Sequence, residues 1–166
     1  MMEPGTLEVT TPSDHEVSMT RRFEAPREHV YRAVTTPELL KQWLTGPPGW
    51  TLATCEVDLR VGGDFRYLWR GPEGEEMGMG GTFVELDPPG RIVHTEIFDE
   101  DWTDGETTVT TLLTEDAGGT TLTLTVRYSS KKARDAALET GMTEGISMSY
   151  DRLAEMLTPG AGGDTA

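Results

Sequence analysis

His94 and Glu96 stand two residues apart in a run where Ile92, His94, Glu96 and Phe98 alternate with Val93, Thr95 and Ile97. That alternation puts His94, Glu96 and Ile92 on one face of a strand. If the face lines a cavity, the imidazole can act as a general base or a polar anchor, being suited to proton transfer near neutral pH. A hydrogen-bonded sheet histidine would leave the same pattern, and the spacing offers neither a nucleophile nor a metal partner. Tyr67 and Trp69 share a strand face with Phe65, and both join apolar area to a polar handle. Met77 and Met79 follow on the next strand, where thioethers fill irregular space. Met142 and Ser149 recur at helical spacing near the C-terminus. Together Tyr67, Trp69, Met77, Met79, His94, Glu96, Met142 and Ser149 form the candidate ligand-binding set, with Phe65, Phe83 and Met148 beside them. A plain apolar core would need many of the same residues. No catalytic residue is assigned.

Other chemistries find less support. The single cysteine, Cys55, cannot form an internal disulfide, and there is no paired-histidine motif, so no metal and no cofactor are expected. Glu56, Asp58, Glu96, Asp99, Glu100, Asp101 and Asp104 fall mostly in a loop or at strand ends, where solvent explains them better than a glycosidase pair does. Gly78-Met79-Gly80-Gly81 lies inside strands with no following helix N-terminus to hold a phosphate, and marks a bend or bulge instead. Trp102, in the acidic loop, is read as capping a cavity mouth, meeting a protein partner or packing on the rim.

With 29 acidic and 14 basic residues the net charge is −15, which opposes a nucleic-acid partner. Arg21, Arg22 and Arg27 are read as a solvated basic rim. No stretch approaches the roughly 18 to 20 apolar residues of a membrane span, and residues 1–14 have no signal-peptide pattern, so cytoplasm is the expected location.

The positioning elements follow from periodicity. Val17, Met19, Arg21 and Phe23 predict a first strand; Pro26 and Thr36-Pro37-Glu38 open two short helices, the second ended by Gly46-Pro47-Pro48-Gly49. From Thr51 to Ser129 the period is two, broken by Gly62-Gly63, Gly71–Glu75, Asp87–Gly90 and Asp116–Gly119. Leu138, Met142, Gly145, Ser149 and Leu153 then predict a long helix, or a short helix and a longer one if Gly141 breaks it. Gly141 and Gly145 either admit close backbone approach to the sheet or leave room. Flexible tails are expected at residues 1–14 and 158–166, around one domain at 15–157. The fold class is α+β: a curved antiparallel sheet of six or seven strands around a long C-terminal helix, with two short helices after strand one.

Several segments carry a family resemblance. Phe23-Glu24-Ala25-Pro26 with Val30 and Tyr31, then Thr36-Pro37-Glu38, Leu40 and Trp43, resembles the opening of helix-grip domains of the START, Bet v 1 and polyketide cyclase superfamily. Asp58-Leu59-Arg60-Val61-Gly62-Gly63, Gly80-Gly81-Thr82-Phe83-Val84-Glu85-Leu86 and Arg91-Ile92-Val93 are similar to the branch related to the activator of Hsp90 ATPase. The resemblance covers about Glu16 to Leu157. It departs at Gly145-Ile146, where relatives commonly carry Gly-Trp. It implies the helix-grip fold but no active site. Three functions follow as expectations: binding of a small apolar or amphipathic ligand between sheet and C-terminal helix, a protein-interaction role like that of an Hsp90 co-chaperone, or cyclase- or hydratase-like chemistry in the same cavity. A homodimer through a sheet edge or the short helices stays open.

Overall fold

The computed structural model describes residues 6–100 and 103–157. Asp101, Trp102 and the expected tail at 158–166 lie outside them. Strand alternation works as predicted in β2 (Glu16–Phe23): Val17, Met19, Arg21 and Phe23 are all buried. The helices α1 (Arg27–Thr35) and α2 (Pro37–Trp43) follow, meeting at Thr36, which is extended and makes no side-chain cap bond. Then come β3 (Thr51–Val57), β4 (Asp64–Arg70), β5 (Glu76–Asp87), β6 (Arg91–Phe98), β7 (Thr107–Asp116) and β8 (Gly119–Arg127). A short first strand, β1 (Glu8–Thr10), pairs with β2 within the region expected to be a tail. Three residues are too few for alternation to reveal.

The result is one curved eight-stranded sheet in the order β1-β2-β8-β7-β6-β5-β4-β3, antiparallel at every pairing. Since β2 pairs with β8 while β3 is the opposite edge, α1 and α2 must carry the chain across the sheet. That crossing puts Val30, Ala33, Leu40 and Trp43 into the core. Trp43 Nε1–H donates to Ala33 O at 2.9 Å, locking the two helices together. Bulges between Leu52 and Thr54 and between Phe83 and Glu85 accommodate curvature. Inside the glycine run, a Cβ on Gly81 would collide with Thr95 O and the Phe65 ring. Close approach of β5 to β6, rather than phosphate contact, explains that glycine.

The C-terminal segment is two helices, α3 (Lys131–Leu138) and α4 (Met142–Leu157), the broken alternative rather than one long helix. Gly141 supplies the break at φ +84°, a left-handed conformation that side chains disfavour. Gly145 behaves differently: a Cβ there would meet nothing within 4 Å, so it marks room rather than close approach.

The arginines correct another expectation. Arg21 is 4% exposed, not part of a solvated rim. Its place in the alternation carries it under α4, where Nη1–H donates to Asp151 Oδ1 at 2.8 Å. Arg22 binds Glu24 and the Asp116 carbonyl.

The two glycines give a paired prediction. Gly145→Ala should stabilise the protein by about 0.5–1 kcal/mol through helix propensity. Gly141→Ala should destabilise it by about 1 kcal/mol because of the left-handed backbone. Urea unfolding of both variants checks this; equal shifts would contradict it.

Candidate functional site

The apolar core divides into two clusters. One gathers Trp43, Phe65, Trp69, Met79, Tyr150 and Leu153 under α1, α2 and the end of α4; the other gathers Val17, Met19, Val109, Val126, Tyr128 and Ala137 under α3. A cavity of about 290 Å³ takes its walls from both. Val34, Leu40, Trp43 and Leu44 close it on the short-helix side, and Met142, Ile146, Ser149 and Tyr150 on α4. The latter four lie at i, i+4, i+7 and i+8, one face of a helix. The sheet contributes Tyr67, Trp69, Met79, His94, Glu96 and Phe98, with Thr107, Val109, Thr111, Leu122, Leu124 and Val126 from β7 and β8.

Its polar content is sparse and concentrated. The His94 and Glu96 side chains are 15% and 22% exposed, with Nε2 and Oε2 2.9 Å apart. A carboxylate only accepts, so Nε2–H is the donor in this contact. His94 Nδ1 is buried without a hydrogen-bond partner. The ring is held edge-on by Phe65 at 5.1 Å and Phe83 at 6.2 Å. Tyr128 Oη–H donates to Met142 Sδ at 3.2 Å, linking the end of the sheet to the start of α4. Trp69 Nε1–H donates to Leu44 O at 3.0 Å, so its ring forms a fixed wall.

The tyrosines feel this environment. Burial, reinforced by the negative charge of Glu96, pushes Tyr128 up to about 12. Burial first, then the Glu96 charge, raises Tyr150 further; for Tyr67, burial is followed by Cys55 and Glu96. Tyr31, on α1, is raised by burial and by Asp87. Burial also moves the Cys55 thiol up to about 11, away from thiolate reactivity.

Of the residues expected from sequence, Tyr67, Trp69, Met79, His94, Glu96, Met142 and Ser149 all lie on the cavity wall. Met77 does not: it shares the parity of Met79 but is 38% exposed at the start of β5. Phe65 and Phe83 pack behind His94 rather than on the wall, and Met148 is exposed. Ile146, where the sequence departs from the Gly-Trp of its relatives, also lies on the wall, whereas Tyr128, Tyr150 and the β7–β8 residues come from the structure; parity indicates their face but not their partners. Trp43 is buried, and Trp50 packs partly buried against the core. Asp99 leaves the acidic group to bind Arg66, which donates at 2.7 Å and holds the carboxyl below its usual range. Among the described residues no cluster of three or more His, Cys, Asp or Glu could hold a metal ion. No described helix is long and apolar enough to cross a membrane.

The family model described as Activator of Hsp90 ATPase homolog 1-like protein matches residues 24–158. The chain belongs to this family. A crystal structure of a Rhodobacter sphaeroides protein is 36% identical, with a TM-score of 0.86, covering 91% of this chain and 97% of that one. One from Mycobacterium smegmatis is 29% identical, with a TM-score of 0.81 over 92% of this chain and 98% of that one. The Silicibacter pomeroyi protein, whose name carries the family symbol, is 23% identical over 86% of this chain and 96% of its own, with a TM-score of 0.69, and supports the fold alone. None of the curated proteins matches the chain. The family match begins at Glu24 and so takes in both short helices, the strands from β3 onward and the two C-terminal helices.

In this member of the Hsp90 ATPase activator homologue family all four tyrosines have raised pKa values, against about 10 in an unfolded chain. Their contribution to stability is therefore complete below pH about 10 and is lost as pH rises through the folded values. A phenolate absorbance titration should show Tyr67, Tyr128 and Tyr150 ionising above the ordinary midpoint, with their ionisation accompanying unfolding. All four phenolates forming reversibly at the ordinary midpoint in the folded protein would contradict the burial described.

Proposed function

We propose that this chain binds a small apolar or amphipathic molecule in the cavity between its sheet and α4, without transforming it. The supporting observation is the cavity of about 290 Å³ with walls from both halves of the core. Small-molecule sites span roughly 300–1,000 Å³ and combine an apolar lining with a few polar groups, so this one suits a compact ligand. Burial of apolar ligand surface contributes about 25 cal/mol per Å², and the rigid indoles of Trp43 and Trp69 limit ordering costs.

Native mass spectrometry of the purified protein, followed by extraction, tests the reading. The wild type should retain or take up a small apolar molecule. Met79→Trp on the sheet wall and Ile146→Trp on the helix wall should each reduce uptake by about tenfold or more while unfolding cooperatively. Equal retention by wild type and both folded variants would contradict the assigned site.

The family's description supplies a second reading, contact with an Hsp90-type ATPase. Stimulation of that ATPase by the purified chain would support it, and an unchanged rate would remove it.

A further inference from the structure

Glu96 is out of keeping with the rest of the cavity. It is a carboxylate in a wall of aliphatic, aromatic and hydroxyl side chains, and among the described lining residues there is no lysine or arginine. Its side chain has one described hydrogen-bond donor, His94 Nε2–H at 2.9 Å. A carboxylate offers about four acceptor directions, so most of its capacity remains for something placed in the cavity. The field of the group is felt widely. Tyr67 on β4, Tyr128 after β8 and Tyr150 on α4 share the cavity lining with it, and each is disfavoured as an anion by the Glu96 charge.

An anionic headgroup would face that charge with no fixed cation among the described lining residues to neutralise it. A molecule that only accepts hydrogen bonds would leave the acceptor capacity that His94 does not use without a donor. A hydroxyl or ammonium meets both requirements. We infer that the cavity selects a compact apolar molecule carrying one hydrogen-bond donor, a hydroxyl or ammonium group, oriented toward the Glu96 carboxylate, and rejects carboxylate-bearing ligands of the same size. This rests on the ligand-binding reading above. His94 serves as a positioning residue, holding one carboxylate oxygen while its ring is braced by Phe65 and Phe83.

The test uses isothermal titration calorimetry on the full chain with four matched probes: naphthol, its methyl ether, naphthylmethylamine and naphthoate. The net charge of −15 attracts the amine and repels naphthoate at any surface site, so the neutral naphthol–ether pair isolates Glu96. Naphthol should bind at least about tenfold more tightly than the ether, as a charge-assisted hydrogen bond allows. The amine should keep its advantage over naphthoate at high salt. Glu96→Leu should abolish the naphthol preference, and the nearly isosteric Glu96→Gln should reduce it by about fivefold. Equal naphthol and ether affinities, or an undiminished preference in both folded variants, would overturn the Glu96 assignment. If Met79→Trp still abolished binding, the cavity reading would survive that result. Absence of binding by every probe, or binding untouched by Met79→Trp, would overturn both.

Discussion

The cavity depends on how the C-terminal helices are fastened at their two ends. At the far end, Tyr150 packs edge-on against Phe23 at 5.7 Å and beside Trp43 at 5.9 Å, while Leu153 is fully buried. Arg21 reaches Asp151 at 2.8 Å, and Arg152 donates to Gly46 O at 3.0 Å, tying α4 to β2 and to the loop after α2. At the near end, buried Arg134 on α3 donates to Ser13 O at 2.8 Å, and Ala133 and Ala137 fill the second cluster. Ser130 Oγ caps α3 by accepting from Ala133 N–H at 3.0 Å. Gly141 bends the chain between these anchors. The first part of α4 therefore spans the concave sheet face rather than collapsing onto it. Asp151 is 59% exposed, so its pair with Arg21 acts more by fixing geometry than by contributing a large stabilisation.

That architecture explains why the polar groups of the wall are few. Each buried donor or acceptor without a partner costs free energy, and the fold satisfies several with backbone carbonyls: Trp43 on Ala33, Trp69 on Leu44, Thr120 on Ala25. Glu96 and His94 satisfy one another only in part. Their strand places them on the cavity wall that they share with Met142, Ile146, Ser149 and Tyr150 of α4.

Much of this was legible from the residues because strand parity assigns faces without knowing the fold. Tyr67, Trp69, Met79, His94 and Glu96 could be grouped before any coordinates, and Met142 and Ser149 joined them through helical spacing. Parity cannot say how far the covering layer extends, which is why Met77 was grouped with Met79 although it lies beyond the cover. It also cannot tell a buried arginine paired across the core from one in solvent, and Arg21 is the former because Asp151 waits on α4. Tyr128 and Tyr150 were hidden for a related reason. Their roles come from tertiary contacts, Tyr128 with Met142 and Tyr150 with Phe23 and Trp43, and a local period gives a residue's face but not such partners. The Gly141 break was readable as an alternative, but only the backbone conformation decides between one helix and two.

Diffraction from crystals of the protein pressurised with xenon tests most directly whether space persists between α4 and the sheet. The account predicts bound xenon, or an ordered small molecule already in place, bounded by Met79, Tyr67, Met142 and Ile146. Those side chains meeting one another in van der Waals contact, with no density between them, would contradict it.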